Sequence, residues 1–225
     1  MAEINLLEKY PKSRRNVTQR SSSKTPEIIQ KAKEFGFEYF DGPREYGYGG
    51  YRYDGRWLPV ARDIVDYFDL KPGDRVLDIG CAKGFLVKDL MHVCPGLNVF
   101  GLDVSKYAID NSEEEIRPYL TCGNAKSIPF SDGFFKAALC INVIHNLDRQ
   151  DCIKALKEIQ RVSNGNAYVQ VDAYHTQEEY DIFQDWVLTA ETFLKPNEWQ
   201  ELFEEAGYLG DYYWTILDPA PKWNQ

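Results

Sequence analysis

The sequence lacks any apolar run that approaches the length of a membrane span. Residues 1–15 also lack the uninterrupted apolar core of a secretory signal peptide. The five cysteines include no C-x-x-C spacing, which favours buried reduced thiols over disulfides or a metal site. We therefore expect a soluble, cytoplasmic protein with no membrane partner and no metal.

Positive charge is also scarce, because 26 Lys and Arg residues face 35 Asp and Glu residues and give a net charge of -9. Phosphate backbones attract clustered Lys and Arg, so this balance argues against a nucleic acid partner. The balance reverses in residues 1–25, where bases outnumber the acids Glu3 and Glu8. A solvated basic tail, or an electrostatic contact with an acidic body or partner, accounts for that reversal.

Residues 75–87 read as a buried strand, a turn bracketed by glycines and the start of a helix. Gly80 and Gly84 allow the backbone to approach a ligand closely, and the following helix presents free N–H groups. The G-x-G-x-x-G pattern of nicotinamide oxidoreductases is absent. Asp78 would repel a phosphate and suits a cation. The turn is therefore predicted to hold a cofactor.

The motif V-L-D-I-G-C-A-K-G resembles the first motif of the class I S-adenosylmethionine-dependent methyltransferases, and the resemblance covers about residues 57–217. It implies an α/β fold, a Rossmann-like doubly wound seven-stranded sheet with the last strand antiparallel. It also implies S-adenosyl-L-methionine as the cofactor. The methionyl part would pack on Gly80, Cys81 and Gly84, with its amino group near Asp78. The alternative is a strand, turn and helix of an unrelated α/β fold.

The predicted second strand, residues 98–103, ends in an acid about twenty residues beyond Gly84, as in nucleotide-binding βαβ units. Asp103 is therefore predicted to accept hydrogen bonds from the ribose hydroxyls, with Val104 beside it. Asp103 could instead cap the next helix.

Residues 123–130, G-N-A-K-S-I-P-F, resemble the family segment G-D-A-x-x-L-P-F, whose acid accepts a hydrogen bond from the adenine amino group. This chain has Asn124 at that position, followed by Ala125. An amide oxygen can still accept the bond. Lys136 stands where the family usually has an acid before the fourth strand, and the sequence gives no account of it.

The segment N-V-I-H-N-L after the predicted fourth strand, residues 137–143, resembles the V-L-H-H-L type segment at the mouth of the family's site. Asn142 would border the cofactor. His145 is the best-placed candidate for a general base. The alternative is a structural role, in which its ring only forms a hydrogen bond with a backbone carbonyl. His175, beyond the fifth strand, is the rival base, and Tyr174 lies on the same acceptor side.

Residues 42–56 contain too much glycine for regular structure and too many aromatic residues for a linker. We interpret them as a lid that excludes water from the site and whose arginines bind an anionic part of the acceptor. Alternatively, the tyrosines fill a hydrophobic seam. The candidate substrate-binding residues of the lid are Arg44, Tyr46, Tyr48, Tyr51, Arg52 and Arg56.

Two regions follow: residues 1–56 as an N-terminal basic arm, helix and Tyr/Gly-rich lid, and residues 57–225 as the S-adenosylmethionine-binding catalytic domain. The N-P-P-Y and D-P-P-Y motifs of nucleobase amino methylation are absent. We expect a small polar metabolite as substrate, with O-methylation of a sugar nucleotide or glycan precursor favoured. N-methylation of a small amine or amino-acid-like metabolite, and a non-catalytic S-adenosylmethionine-binding protein, are the alternatives.

Overall fold

A computed structural model describes residues 1–12 and 16–217. The strands are β1 (Arg75–Ile79), β2 (Asn98–Asp103), β3 (Leu120–Cys122), β4 (Ala137–Ile141), β5 (Ala167–Asp172) and β6 (Asp211–Thr215). The first helices are α1 (Val17–Ser23), α2 (Pro26–Ala32), α3 (Phe37–Phe40) and α4 (Leu58–Tyr67). The later helices are α5 (Phe85–Val93), α6 (Lys106–Asp110), α7 (Arg149–Ser163), α8 (Gln177–Trp186) and α9 (Pro196–Ala206).

The described strands form one parallel sheet in the order β3-β2-β1-β4-β5-β6. Neighbouring side chains of a strand point to opposite faces, so each face has its own core. Leu77 belongs to the core that α7 and α9 cover, whereas Val76 belongs to the core that α4 and α5 cover. The carboxyl ends of the parallel strands meet at one edge, where open α/β sheets bind ligands.

The prediction of seven strands with an antiparallel last strand is wrong for the described chain. β6 pairs with β5 in parallel, through the crossover that α9 provides. Residues 189–194, between β5 and β6, donate the N–H groups of Glu191 and Thr192 to the carbonyl of His145, at 2.9 and 3.0 Å. The segment is thus joined to the loop after β4, and Leu194 forms one isolated parallel bridge with Ala173, just after β5, without becoming a strand of the sheet.

The start of the chain is packed on the sheet, which contradicts the interpretation of this part as a solvated tail. Ile4 donates its N–H to the carbonyl of Tyr212 at 2.9 Å, and Tyr212 donates its N–H to the carbonyl of Ala2 at 3.0 Å. Leu6 is buried in the core beside α4. The first residues thus cover part of the free edge of β6.

Four of the five cysteines are buried and Cys122 is exposed, and all five are free thiols. Lys136 lies before β4, where its Nζ is 3.4 Å from a carboxylate oxygen of Asp74. That contact is at the amino ends of the strands, opposite the predicted site. Among the described residues, no helix is both long enough and apolar enough to cross a membrane.

Candidate functional site

The turn after β1 has a backbone that favours glycine. Gly80 and Gly84 have φ values of 76° and 77°, and a Cβ atom on Gly80 would lie 2.1 Å from Cγ2 of Val143. Ala82, between them, also has a left-handed φ of 51°. A residue with a Cβ atom stores roughly 1–2 kcal/mol of strain there. The turn is therefore a tight, pre-shaped cradle at the sheet edge.

Asp78 is a buried acid at the base of this turn, with no described hydrogen bond. Burial, with a smaller contribution from the charge of Asp103, raises the pKa of Asp78 to about 7. A cationic partner stabilises the charged form of a buried carboxyl group more than it stabilises that of a solvent-exposed carboxyl group. Its position therefore fits the ammonium group that the family resemblance assigns to it.

Asp103 at the end of β2 is fixed by two backbone N–H groups. One carboxylate oxygen accepts from Ala82 and the other from Ser105, both at 2.7 Å. Burial raises the pKa of Asp103, and the two hydrogen bonds act in the opposite direction. Each oxygen keeps a lone pair for a ribose hydroxyl. The Ser105 hydroxyl, and not Asp103, caps α6 by accepting from the N–H of Ala108.

Residues 35–56, which we call the cap, lie against the turn and α5. The ring of Tyr51 stacks on Phe85 with centroids 4.7 Å apart. The hydroxyl of Tyr53 donates to Asp89 at 2.7 Å. The predicted lid therefore has defined anchors on the catalytic part of the chain.

A buried ion pair joins the cap to the turn itself. Lys83 donates to both carboxylate oxygens of Asp41, at 2.6 and 2.8 Å, and to the carbonyl of Tyr51 at 3.1 Å. Tyr107 donates to the same carboxylate at 2.7 Å. Burial acts to raise the pKa of Asp41, but these donors outweigh it and the pKa is lowered. Sequence reasoning missed Lys83, although it lies inside the motif.

The closed cap leaves little room over the turn. A cavity of about 30 Å³ remains there. Its lining includes Tyr51, Trp57, Asp78, Gly80, Leu86 and Ile141. Small-molecule sites occupy roughly 300–1,000 Å³, so the cavity under the closed cap is smaller than a cofactor-sized site.

The predicted lid residues separate into different environments. Arg56 pairs with Asp54 at 2.6 Å, which occupies its guanidinium. Tyr46 packs with the small core of α2, and Arg52 is exposed. Tyr48 is 4.4 Å from Tyr51, ring centroid to ring centroid. Of this group, Tyr51 is placed in the cleft.

His145 is buried after β4 and faces Asp172 at the end of β5. Its Nδ1 accepts the N–H of Asp172 at 3.0 Å, and its Nε2 is 3.6 Å from a carboxylate oxygen of the same residue. Both ring nitrogens are thus directed at Asp172. To take a proton from an acceptor, the ring must leave this arrangement, so the role of His145 as a base stays a prediction.

The rival histidine is near the surface. Nδ1 of His175 is 3.4 Å from a carboxylate oxygen of Glu179, and more than half of the side chain is exposed. Tyr174 packs edge to face on Tyr180, with centroids 4.9 Å apart. These residues lie beyond β5, at the same edge of the sheet as His145.

Four predicted cofactor contacts lie on loops at the sheet edge. Asn142 has a left-handed φ of 57°, and its Oδ1 accepts from the hydroxyl of Thr215 at 2.8 Å. Asn124 uses its Oδ1 to accept the N–H of Lys126 at 3.0 Å. Val104 is exposed, as a residue beside a bound nucleoside is before the ligand arrives. Ala125 packs on the core beneath. Their roles in binding stay predictions.

Comparison with known proteins shows that this chain is similar to methyltransferases. Residues 77–171 match a family model described as a methyltransferase domain. Demethylmenaquinone methyltransferase of Symbiobacterium thermophilum is 25% identical over 72% of this chain and 79% of its own length. O-methyltransferase 9 of Dictyostelium discoideum is 31% identical over 62% of this chain but only 42% of its own length. A probable tRNA methyltransferase 9B of Mus musculus is 30% identical over 57% of this chain and 29% of its own length.

Solved structures share the fold. A putative methyltransferase, solved in complex with the Haloferax volcanii Trm112 methyltransferase activator, has a TM-score of 0.54 with 24% identity over 67% of both chains. A putative methyltransferase from Bacillus halodurans has a TM-score of 0.51 with 17% identity over 65% of this chain and 68% of its own. The methyltransferase domain model and the methyltransferase relatives, together with the turn and the acids at the ends of β1 and β2, indicate S-adenosylmethionine as the cofactor. The chain is a class I S-adenosylmethionine-dependent methyltransferase.

Proposed function

We propose that this methyltransferase acts on a small polar metabolite, with O-methylation of a sugar nucleotide or glycan precursor as the favoured reaction. The closed cap is the observation that supports a small acceptor. Tyr51 and Trp57 leave only the cavity of about 30 Å³ over the turn. A cap that closes this far suits an acceptor that it can enclose better than a polymer that must pass through.

The described residues fit the cofactor. Asp78 provides a buried carboxyl for its ammonium group, and Asp103 provides fixed lone pairs for the ribose hydroxyls. Gly80 allows close approach of the backbone, because a larger residue there would strike Val143. When bound, S-adenosylmethionine supplies an electrophilic methyl group on a sulfonium ion.

The chain itself contributes position and the exclusion of water. The Tyr51 ring is held on Phe85, and its carbonyl is held by Lys83, so the cap closes in one defined place. Removing water from the cleft strengthens the electrostatic interactions inside it. Holding two reactants in line lowers the entropic part of the barrier.

N-methylation of a small amine is the second candidate, and the contacts of His145 favour it. An amine can lose its proton to water before it attacks, so it needs no enzymatic base. A hydroxyl acceptor needs one, yet both ring nitrogens of His145 are directed at Asp172. The hydroxyl reaction therefore requires a rearrangement that the amine reaction does not.

Methyl transfer from labelled S-adenosylmethionine tests the proposal. The protein is incubated with a metabolite extract that is filtered to remove polymers and, separately, with total RNA. We expect label in the small-molecule fraction and none with an Asp103→Ala variant. Label in RNA alone would contradict the proposed acceptor class. Absence of label, with S-adenosylhomocysteine binding intact in calorimetry, would favour the non-catalytic alternative.

A further inference from the structure

A second cavity lies between α1, the cap and the end of α8, and its lining residues differ from those of the cofactor cleft. Its volume is about 300 Å³, at the lower end of the range of roughly 300–1,000 Å³ for small-molecule sites. Its lining includes Asn16, Gln19, Arg20, Arg44, Glu45 and Trp186. Neither the family resemblance nor the cofactor explains this cavity.

Two arginines in the cavity face one indole ring. The guanidinium carbon of Arg20 is 4.9 Å from the ring centroid of Trp186, and that of Arg44 is 5.5 Å away. Burial, followed by the charge of Arg44, lowers the pKa of Arg20. The two cations therefore disfavour each other, and the face of the indole offsets only part of that cost.

Neither guanidinium forms an ion pair with a carboxylate in residues 1–12 or 16–217. Arg20 donates to the carbonyls of Glu45 and Gly47, at 3.3 and 3.1 Å, and Arg44 also donates to the Gly47 carbonyl. A guanidinium carries five N–H donors, and these carbonyls take two from Arg20 and one from Arg44 among the residues that the structure describes. Glu45 is exposed, and its contact with Arg20 is through the main chain.

The cavity is connected to the cofactor cleft through the cap. The carbonyl of Gly47 accepts from both arginines, and the next residue, Tyr48, contacts Tyr51. Tyr51 in turn lines the cavity of the cofactor cleft, together with Asp78. An anion that fixes the two arginines would hold this part of the cap against the cleft.

We propose that this cavity binds the anionic group, a phosphate or a carboxylate, of the methyl acceptor. Guanidinium groups bind both anions through paired N–H donors, and two of them match a doubly charged phosphate best. This inference rests on the proposed function, since it names the acceptor's charged end.

Calorimetry with phenyl phosphate and benzoate tests the site on the full chain with S-adenosylhomocysteine bound. We expect saturable binding that weakens as salt concentration rises, with phenyl phosphate tighter than benzoate. Arg44→Gln and Arg20→Lys should each weaken phenyl phosphate roughly tenfold or more. Arg62→Gln, which removes one exposed positive charge from α4 outside the cavity, is the matched control and should bind like the wild type.

Hydrogen exchange of residues 44–51 provides the second measurement. Phenyl phosphate should slow exchange there in the wild type and not in Arg44→Gln. Absence of binding, or equal binding by all variants, would overturn the site. Binding without protection of the cap would overturn its assignment to the acceptor. Melting temperatures and S-adenosylhomocysteine affinity of each variant separate these outcomes from misfolding and from failure of the methyltransferase proposal.

Discussion

We expect Asp78 to make cofactor affinity depend on pH. Its pKa of about 7 is raised, so the carboxyl is neutral below pH 7 and charged above it. Binding of an ammonium group requires the charged form, so a proton must leave when the cofactor binds at lower pH. We expect S-adenosylhomocysteine affinity to fall about tenfold per pH unit below 7. Calorimetry from pH 5 to 8 measures this slope.

Asp78→Asn is the control, because it removes the titrating group while keeping the shape of the side chain. The variant should bind more weakly at pH 8 and lose the slope below pH 7. An unchanged slope in Asp78→Asn would assign the pH dependence to another group.

Gly80 is the position at which a methyl group should be most damaging. Gly80→Ala places a Cβ atom 2.1 Å from Val143 and keeps the left-handed φ of 76°. We expect a loss of about 2–4 kcal/mol in unfolding free energy from overpacking and backbone strain together. Urea unfolding gives this value.

Gly207→Ala is the matched control, because Gly207 has a φ of 67° but no atom within 4 Å of the added Cβ. It should lose only the strain, about 1 kcal/mol. Equal losses at Gly80 and Gly207 would show that Val143 moves aside without cost.

His145 distinguishes a hydroxyl acceptor from an amine. For the favoured hydroxyl reaction, we expect His145→Ala to reduce turnover by roughly 10²–10⁴-fold with little change in S-adenosylhomocysteine affinity. Steady-state kinetics together with calorimetry separates the two effects. A small loss of turnover would favour the amine. Wild-type turnover in His145→Ala, with an inactive His175→Ala, would transfer the role to His175.

The ion pair of the cap is the main unit to test at the scale of elements. Lys83 and Asp41 are largely buried, so their separation costs more than that of an exposed pair. We expect Lys83→Met to lower the free energy of cap opening by about 1–3 kcal/mol, and hydrogen exchange of residues 41–53 to rise accordingly.

Lys106→Met is the control for this pair. Lys106 forms a similar contact with Asp110 at 2.6 Å, but both side chains are exposed. Because solvent screens this exposed pair, the change should leave both the stability of the protein and exchange in the cap unchanged. Equal exchange of the cap in both variants would contradict the prediction that the ion pair of Lys83 and Asp41 holds the cap closed.

Elements governed by local pattern could be predicted from the sequence, and those governed by distant contacts could not. The predicted bounds of β2 agree with the structure, because the proline and glycine before it and its apolar residues define them. The direction of β6 depends on which strand accepts its hydrogen bonds. Likewise, Lys83 and Asp41 are 42 residues apart, and nothing local pairs them.

The candidate site was predictable where the residue type itself determines the chemistry. Asp78 and Asp103 lie near the carboxyl ends of two neighbouring parallel strands, so their proximity follows from the parallel sheet. The contacts of His145 were not predictable, because its partner Asp172 comes from a different strand. The burial of Arg20 was not predictable either, because it depends on contacts with the cap and with Trp186 of α8.

At the scale of the molecule, the first residues belong to the same folded unit as the last strand. Their backbone bonds to Tyr212 and the burial of Leu6 join the two ends of the described chain. Leu6→Ala should therefore lower the unfolding free energy of the whole protein by about 2–4 kcal/mol. Leu209→Ala is the control, because it removes the same atoms from a side chain that is 65% exposed. It should change the unfolding free energy by less than about 0.5 kcal/mol. Urea unfolding followed by circular dichroism compares them. Equal, small effects would mean that the first residues dock on the sheet without stabilising it.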